Sequence, residues 1–225
     1  MTTSENKKFR QSGFSLLELV IAMSLTLVIL TIAFTVLASS FQISKRENQR
    51  SAAIADAQRA LNLMSREIAN AGYGLSSNGL VTGGDSGPNQ IRIRSDLNLS
   101  GTTAETDEDI KYVLVNDANG SFIARLNLQP VQTTGLVANR VDGLRIYYYS
   151  QKVTYTRGNG VITNVRNSAG NIEPEVTPDN AKFVVVVLSV TLPAVGTPGS
   201  PGYQPASATQ LVSSVSLRNS NLVTY

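Results

Sequence analysis

The first third of the chain carries a long apolar segment with one charge inside it. From Phe14 to Phe41 the residues are apolar or small, and Glu18 is the only charged one among them. A helix of about 20 apolar residues is long enough to cross a bilayer. The segment 14–41 is therefore predicted to be a transmembrane helix, and the carboxylate in its second turn needs an explanation.

The helix is predicted to continue well beyond the membrane. No proline or glycine lies between Gly13 and Gly72, and these are the two residues that most strongly break helices. As a single helix this stretch would be roughly 87 Å long. In its second half, 42–72, one apolar stripe recurs at steps of three and four residues, and its members are Ile54, Ala57, Leu61, Met64, Ile68 and Ala71.

The stripe favours a helix half that packs on a folded domain. A free coiled-coil stalk is the alternative, but six positions are few for one. The charged residues of this half, Arg46 among them, are expected to lie mostly off the stripe. The sequence "AGYG" supplies glycines that end the helix.

The rest of the chain, 73–225, alternates in the way that β-strands do. Short β-branched runs are separated by glycine, asparagine and proline, and "NDANGS" and "TRGNGV" are typical of hairpin turns. The run "KFVVVVLSVTL" predicts a central strand covered on one face by the amphipathic helix. The three residues Tyr147–Tyr149 are expected to alternate between core and solvent, and the loop 193–207 is expected to be exposed. Together these elements predict an α+β fold, one long helix on an antiparallel sheet.

Composition excludes several kinds of chemistry. The chain has 225 residues, no cysteine and no histidine, which rules out disulfides, thiol nucleophiles and imidazole bases or ligands. A non-enzymatic protein without a cofactor is therefore predicted, although a carboxylate-only enzyme stays possible. A formal net charge of +3 is too small to indicate a nucleic-acid partner.

An acidic run, "TAETDEDIKY", contains Glu105, Asp107, Glu108 and Asp109. Such a density of carboxylates is compatible with calcium. The spacing lacks the Asp-x-Asp-x-Asp-Gly pattern of a calcium loop. A solvated acidic loop and no metal site are therefore predicted.

Two general interpretations of the N-terminus are a cleaved secretory signal, which conflicts with the length of the apolar segment, and a signal anchor, which leaves Glu18 unexplained. A cleaved secretory signal has a shorter apolar core, roughly 7–15 residues. A plain signal anchor fits the length, and the preceding basic residues, Lys7, Lys8 and Arg10, place its N-terminus in the cytoplasm. An ionised carboxylate at bilayer depth costs on the order of 2–3 kcal/mol. It therefore needs a partner, unless the side chain reaches back to water at the interface.

The stretch "SGFSLLELVIAM" resembles the class III leader of type IV pilins and their relatives. That leader has a short basic segment, a glycine, a phenylalanine and a glutamate at the fifth mature position of an apolar helix. The resemblance implies that prepilin peptidase cuts between Gly13 and Phe14 and methylates the new amine of Phe14. It also implies that Glu18 pairs with a Phe14 amine, of a neighbouring subunit or of its own chain, and so sets the register between subunits.

Later segments resemble PilW-like minor pilins, with a related pattern in pseudopilin J of type II secretion. The matching pieces are "RALNLMSREIANAGYG", "NRVDGLRIYYYS" and "LVSSVSLRN". Major pilins often have proline at the twenty-second mature position, where this chain has Thr35. That departure favours a minor or tip role.

The resulting expectation divides the chain into a leader (1–13), an assembly half of the helix (14–41), an amphipathic half (42–72) and a periplasmic or extracellular β-domain (73–225). The resemblance implies a minor pilin in the inner membrane that later joins a fibre. Its expected partners are other pilin subunits, prepilin peptidase and the inner-membrane assembly platform. A type II secretion pseudopilin and a membrane-anchored periplasmic enzyme are the alternatives.

Overall fold

A computed structural model describes residues 14–118, 120–158, 160–200 and 202–219. The predicted cleavage residue Gly13 and the rest of the leader, 1–13, lie outside the described residues. One helix, α1 (Leu16–Ala69), contains 54 residues and runs through both predicted halves without interruption. The chain turns at Gly72, where φ is +77° and an added Cβ would lie 2.5 Å from the Ser77 carbonyl oxygen. The single long helix is confirmed; it ends at Ala69 with Asn70 as its C-cap, and the turn at Gly72 follows two residues later.

Nine strands and a short 3₁₀ helix, Pro178–Asn180, follow α1 in the described residues. Every strand pair is antiparallel, and both predicted hairpins are present. The strands are β1 (Gln90–Arg94), β2 (Asp109–Asp117), β3 (Gly120–Asn127), β4 (Thr133–Asn139), β5 (Gly143–Tyr149), β6 (Thr154–Gly158), β7 (Val161–Arg166), β8 (Phe183–Leu192) and β9 (Ser207–Ser216).

The strands form two sheets and a separate hairpin rather than the one sheet expected. The first sheet has the order β1-β2-β3-β4, the second has the order β5-β8-β9, and β6-β7 is the hairpin. The two sheets meet where the Ile146 amide donates to the Pro88 carbonyl oxygen at 2.8 Å. Helix α1 packs on β4 of the first sheet and on β8 and β9 of the second. The prediction of an α+β fold is confirmed, and β8 is the central strand of its sheet.

The core lies between the sheets and the outer half of α1, which is its amphipathic part from residue 42 to Ala69. The buried apolar face of the helix is rich in small residues, which allow a sheet to approach closely, and its members are Ala53, Ala57, Ala60, Leu61, Met64 and Ile68. Ala71, just after the helix, is buried as well. The predicted stripe is largely confirmed, but Ile54 is only half buried. From the sheet side, Val184, Val186 and Leu188 of β8 complete this cluster.

The expectation that one of the three adjacent tyrosines faces solvent is wrong. Tyr147, Tyr148 and Tyr149 are 6%, 4% and 2% exposed. Tyr148 belongs to the core beneath α1, while its two neighbours belong to a second cluster beneath the β6-β7 hairpin. The second sheet is therefore covered on both faces, and alternation along β5 separates two cores rather than core from water.

The prediction of a solvated acidic loop is right for Glu105 and Asp107, which are exposed, and wrong for Glu108 and Asp109. The carboxylate of Glu108 is buried and accepts the Leu97 amide at 2.8 Å and the Glu105 amide at 3.3 Å. The adjacent Asp109 is also buried and is bonded to arginines. Among the described residues, no group of three or more His, Cys, Asp or Glu side chains could hold a metal ion.

The proline–glycine loop 193–207 is largely exposed, as expected, but it is tied back to the helix. Arg46 is buried, against the expectation that it lies off the packed face, and its guanidinium donates to the carbonyl oxygen of Pro205. Gly202 of this loop lies against Ser39. The loop therefore covers α1 where its apolar half ends.

Candidate assembly site on the N-terminal helix

Helix α1 begins with a capping box that includes the glutamate of the leader motif. Ser15 is the N-cap, and its hydroxyl accepts the Leu17 amide at 3.3 Å. The Glu18 carboxylate in turn accepts the Ser15 amide at 3.1 Å. Such reciprocal bonds satisfy backbone donors that the first helical turn leaves free. The Glu18 carboxylate thus points back toward the start of the helix and lies beside the amide of Ser15, the residue that follows Phe14.

The inner half of α1, from its start to residue 41, packs on no sheet in the described structure, and only Ser39 near its end lies against another segment, at Gly202. Phe14 is 89% exposed, and the large apolar side chains from Leu16 to Ile43 are all exposed as well. Soluble proteins rarely leave so large an apolar surface uncovered. Within the described residues, α1 is the one helix long and apolar enough to cross a membrane.

The polar side chains of this half are satisfied inside the helix. Each hydroxyl donates to a carbonyl oxygen three or four residues earlier, and they belong to Ser24, Thr26, Thr31, Thr35, Ser39 and Ser40. Such internal bonds are what a helix needs in a medium without water. At Thr35, where a major pilin often has proline, the hydroxyl bonds the Ile32 carbonyl oxygen at 2.8 Å and the helix is unbroken.

The outer half of α1 is tied to the first sheet by a polar network. Glu67 accepts the Tyr112 hydroxyl at 2.6 Å and the Arg125 guanidinium at 3.0 Å. Arg125 also bonds Asp107 at 2.7 Å. Burial, and then the Glu67 charge, raise the pKa of Tyr112, so its hydroxyl stays protonated and donates. The network fixes the rotation of the helix on the sheet.

A second charged cluster lies across β1 and β2. Arg92 bonds Asp109 at 2.7 Å and Asp85 at 2.7 Å, and Arg94 bonds Asp109 at 3.0 Å. Burial alone would raise the pKa of Asp109, but the hydrogen bonds from Arg92 and Arg94 outweigh it and hold that pKa below its usual value. The Arg92 and Lys111 hydrogen bonds likewise lower the pKa of Asp85. The carboxylates of Asp85 and Asp109 therefore serve to stabilise the first sheet.

Of the residues predicted to act in assembly, the structure describes Phe14 and Glu18. Both lie at the exposed start of α1. The buried positions of Arg46 and Asp109 and the half-buried position of Glu67 were not predicted, because their partners lie far away in the sequence. In the sequence, the only indication was that each of these three charged residues interrupts or borders an apolar pattern.

Comparison with known proteins gives one match, at the N-terminus of the chain. Residues 8–34 match the family model described as the prokaryotic N-terminal methylation motif. No curated protein and no solved structure matches the chain significantly. The motif defines a structural rather than an enzymatic class, that of the type IV pilins and pseudopilins.

The chain therefore carries a type IV pilin-like class III leader. That motif and the long apolar helix support a membrane-anchored, single-pass protein. Such a leader implies processing by prepilin peptidase and assembly with other pilins.

Proposed function

We propose that this protein is a minor pilin of a type IV pilus. Prepilin peptidase cleaves it between Gly13 and Phe14 and methylates the Phe14 amine on the cytoplasmic side of the inner membrane. The assembly platform then moves the subunit from the membrane into a fibre. The observation that carries this proposal is a leader motif at the start of a helix half whose large apolar side chains are all exposed.

Glu18 has a specific part in this proposal. Once the leader is removed, the amine of Phe14 is a cation at the start of an apolar helix. In a bundle of such helices, Glu18 of one subunit pairs with the Phe14 amine of its neighbour. Attraction in a low-dielectric medium depends steeply on distance, so the pair sets the axial register of the incoming subunit. The capping box keeps the carboxylate aimed toward this end of the helix.

A minor position, at initiation or at the tip, is supported by Thr35. An intact helix at this point resists the local unwinding that proline allows in a major subunit. The same leader serves type II secretion pseudopilins, so a place in a pseudopilus is the outcome that competes with this one.

The test of the pairing is a comparison of two glutamates on the same helix. Glu18→Ala removes the carboxylate inside the apolar segment, and Glu47→Ala removes an exposed one beyond it. Both variants are expected to be cleaved at Gly13–Phe14. Only the first is expected to disappear from sheared fibres, measured as the ratio of this chain to the major subunit. Normal incorporation of Glu18→Ala would refute the pairing role.

Processing is tested separately by replacing Gly13 with a bulky residue such as leucine. The resemblance implies that the peptidase needs a small residue there, so the uncleaved precursor should accumulate in the membrane. If a strain lacking the gene keeps its surface pili but has a secretion defect, the chain belongs to a pseudopilus instead.

A further inference from the structure

An open groove lies beside α1 just past the end of its apolar half. Its volume is about 650 Å³. One wall is the helix from Phe41 to Asp56, and the other is the end of β4 with the residue that follows it, Arg140. The polar side chains in it are those of Ser44, Lys45, Asn48, Gln49, Asp56, Asn139 and Arg140.

The groove carries positive charge that no described residue neutralises through an ion pair. Lys45 and Arg140 have no ion pair or side-chain hydrogen bond with any residue that the structure describes. The one carboxylate in the groove, Asp56, is paired with Arg59 at 3.1 Å. The amide side chains of the groove add neutral hydrogen-bond donors. This is a set of groups that suits an anion with several oxygen atoms.

Arg140 is held in an unfavourable backbone conformation. Its φ is +58°, in the left-handed region that non-glycine residues seldom adopt and that costs roughly 1–2 kcal/mol. Glycine or asparagine would fit this turn with less strain. The side chain of Arg140 is exposed and makes no contact with a described residue that would stabilise the fold, while its backbone is strained. Strain kept without a gain in stability indicates a functional role, here the binding of a ligand.

The position of the groove selects the kind of anion. The segment 14–41 would be about 42 Å long as a helix, close to the full thickness of a bilayer with its headgroups. Lys45 is the first charged residue after Glu18, so it falls at the headgroup level on the far side. Phe41, at the lower edge of the groove, is apolar and exposed. The groove therefore straddles the boundary between acyl chains and headgroups.

We propose that this groove binds the phosphate of an anionic phospholipid in the leaflet from which α1 emerges. Lys45 and Arg140 hold the phosphate, Asn48 and Asn139 donate to its oxygens, and Phe41 contacts the glycerol end of the acyl chains. The proposal requires only that α1 spans a membrane, and it stands whether the protein serves a pilus or a pseudopilus.

The test measures retained lipid. The full chain is reconstituted in phosphatidylcholine vesicles that contain a minority of phosphatidylglycerol, extracted in mild detergent, and analysed by mass spectrometry for phosphatidylglycerol per chain. The variant Lys45→Gln with Arg140→Gln is compared with Lys152→Gln with Arg157→Gln. The second pair removes the same charge from exposed positions on and before the β6-β7 hairpin, away from α1.

The groove variant is expected to retain about tenfold less phosphatidylglycerol, the size of effect for losing charge-assisted contacts to a phosphate. The control pair should retain as much as the unmodified chain. Equal retention by both variants, or equal loss from both, would overturn the proposal. Retention of phosphatidylcholine in place of phosphatidylglycerol by the unmodified chain would also overturn it.

A further variant separates binding from folding. Arg140→Gly relieves the left-handed strain, so its thermal unfolding midpoint should be no lower than that of the unmodified chain, while lipid retention falls. If the groove variants keep their lipid but lose crosslinks between copies of the chain, the groove binds a neighbouring subunit's carboxylate and the lipid proposal is wrong.

Discussion

The two halves of α1 belong to one unbroken helix, but the apolar side chains of one half are buried and those of the other are exposed. Met64 in the outer half is fully buried, whereas Met23 in the inner half is 59% exposed. The outer half packs on two sheets and is fixed by a polar network around Glu67. The hydroxyl groups of the inner half bond to the helix's own carbonyl oxygens, and its large apolar side chains are exposed in the described structure.

This difference shows where each half obtains its stability. The outer half gains free energy when the domain folds, because its apolar face leaves water within the same molecule. The inner half gains it only from a bilayer or from other helices. Substitutions in the two halves are therefore expected to affect different measurements, folding in one case and assembly in the other.

The largest effect is expected from the same substitution made in each half. Met64→Ala removes fully buried atoms and is expected to lower the free energy of unfolding by about 2–5 kcal/mol. Met23→Ala is the matched control and should leave it unchanged. Denaturant unfolding of the detergent-solubilised chain, followed by near-UV tyrosine signals, measures both. Similar losses from the two variants would mean that the inner half also packs on the domain.

A smaller effect is expected from the charged cluster on the first sheet. Asp109→Asn weakens charged hydrogen bonds to Arg92 and Arg94 and is expected to cost about 1–3 kcal/mol at neutral pH. The pKa of Asp109 is lower in the folded protein than in the unfolded chain. Its stabilisation is therefore complete above about pH 4, the unfolded value, and is lost as pH falls through the folded value.

The pH dependence gives this second prediction its control. Unfolding free energies of the unmodified chain and Asp109→Asn should converge as the pH is lowered below about 4. A difference that is constant across the acid range would show that the carboxylate charge contributes nothing.

Next in size is the hydrogen bond that joins α1 to the first sheet. Tyr112→Phe removes the donor to Glu67 but leaves the Arg125 ion pair, so a loss of about 1 kcal/mol is expected. Tyr155→Phe is a control with the same chemistry, since its hydroxyl bonds the exposed Ser214 in the other sheet. Protection of the amides near Glu67 from hydrogen exchange should fall in the first variant alone. Unchanged protection in Tyr112→Phe would contradict a role for this bond in fixing the helix.

The smallest effect on folding is expected at the start of the helix. Ser15→Ala removes the N-cap hydroxyl, which contributes about 0.5–1 kcal/mol locally. Because the first turn contacts nothing else in the described structure, the global unfolding free energy should not change. Faster hydrogen exchange at Leu17 and Glu18 is the expected signal. A drop in global stability would show that the inner half is coupled to the domain.

The sequence was most informative where structure depends on near neighbours. The long helix follows from the absence of breakers up to Gly72, and the hairpins follow from their turn residues. The leader motif is legible because Gly13, Phe14 and Glu18 lie within one short stretch. Each of these features is local, so a linear pattern is enough to reveal it.

What the sequence did not reveal depends on contacts between distant segments. Alternation along Tyr147–Tyr149 shows two faces but not that the β6-β7 hairpin covers the second one. Burial of Asp109 requires arginines from another strand, and burial of Arg46 requires a carbonyl from the loop before β9. The groove between Lys45 and Arg140 likewise exists only once β4 is packed beside α1.

The most direct test of the account is the intact mass of this chain recovered from sheared surface fibres and from membranes. The expected result is a fibre-associated form that begins at Phe14 and carries one added methyl group. A chain that still begins at Met1 and is found only in the membrane fraction would contradict it.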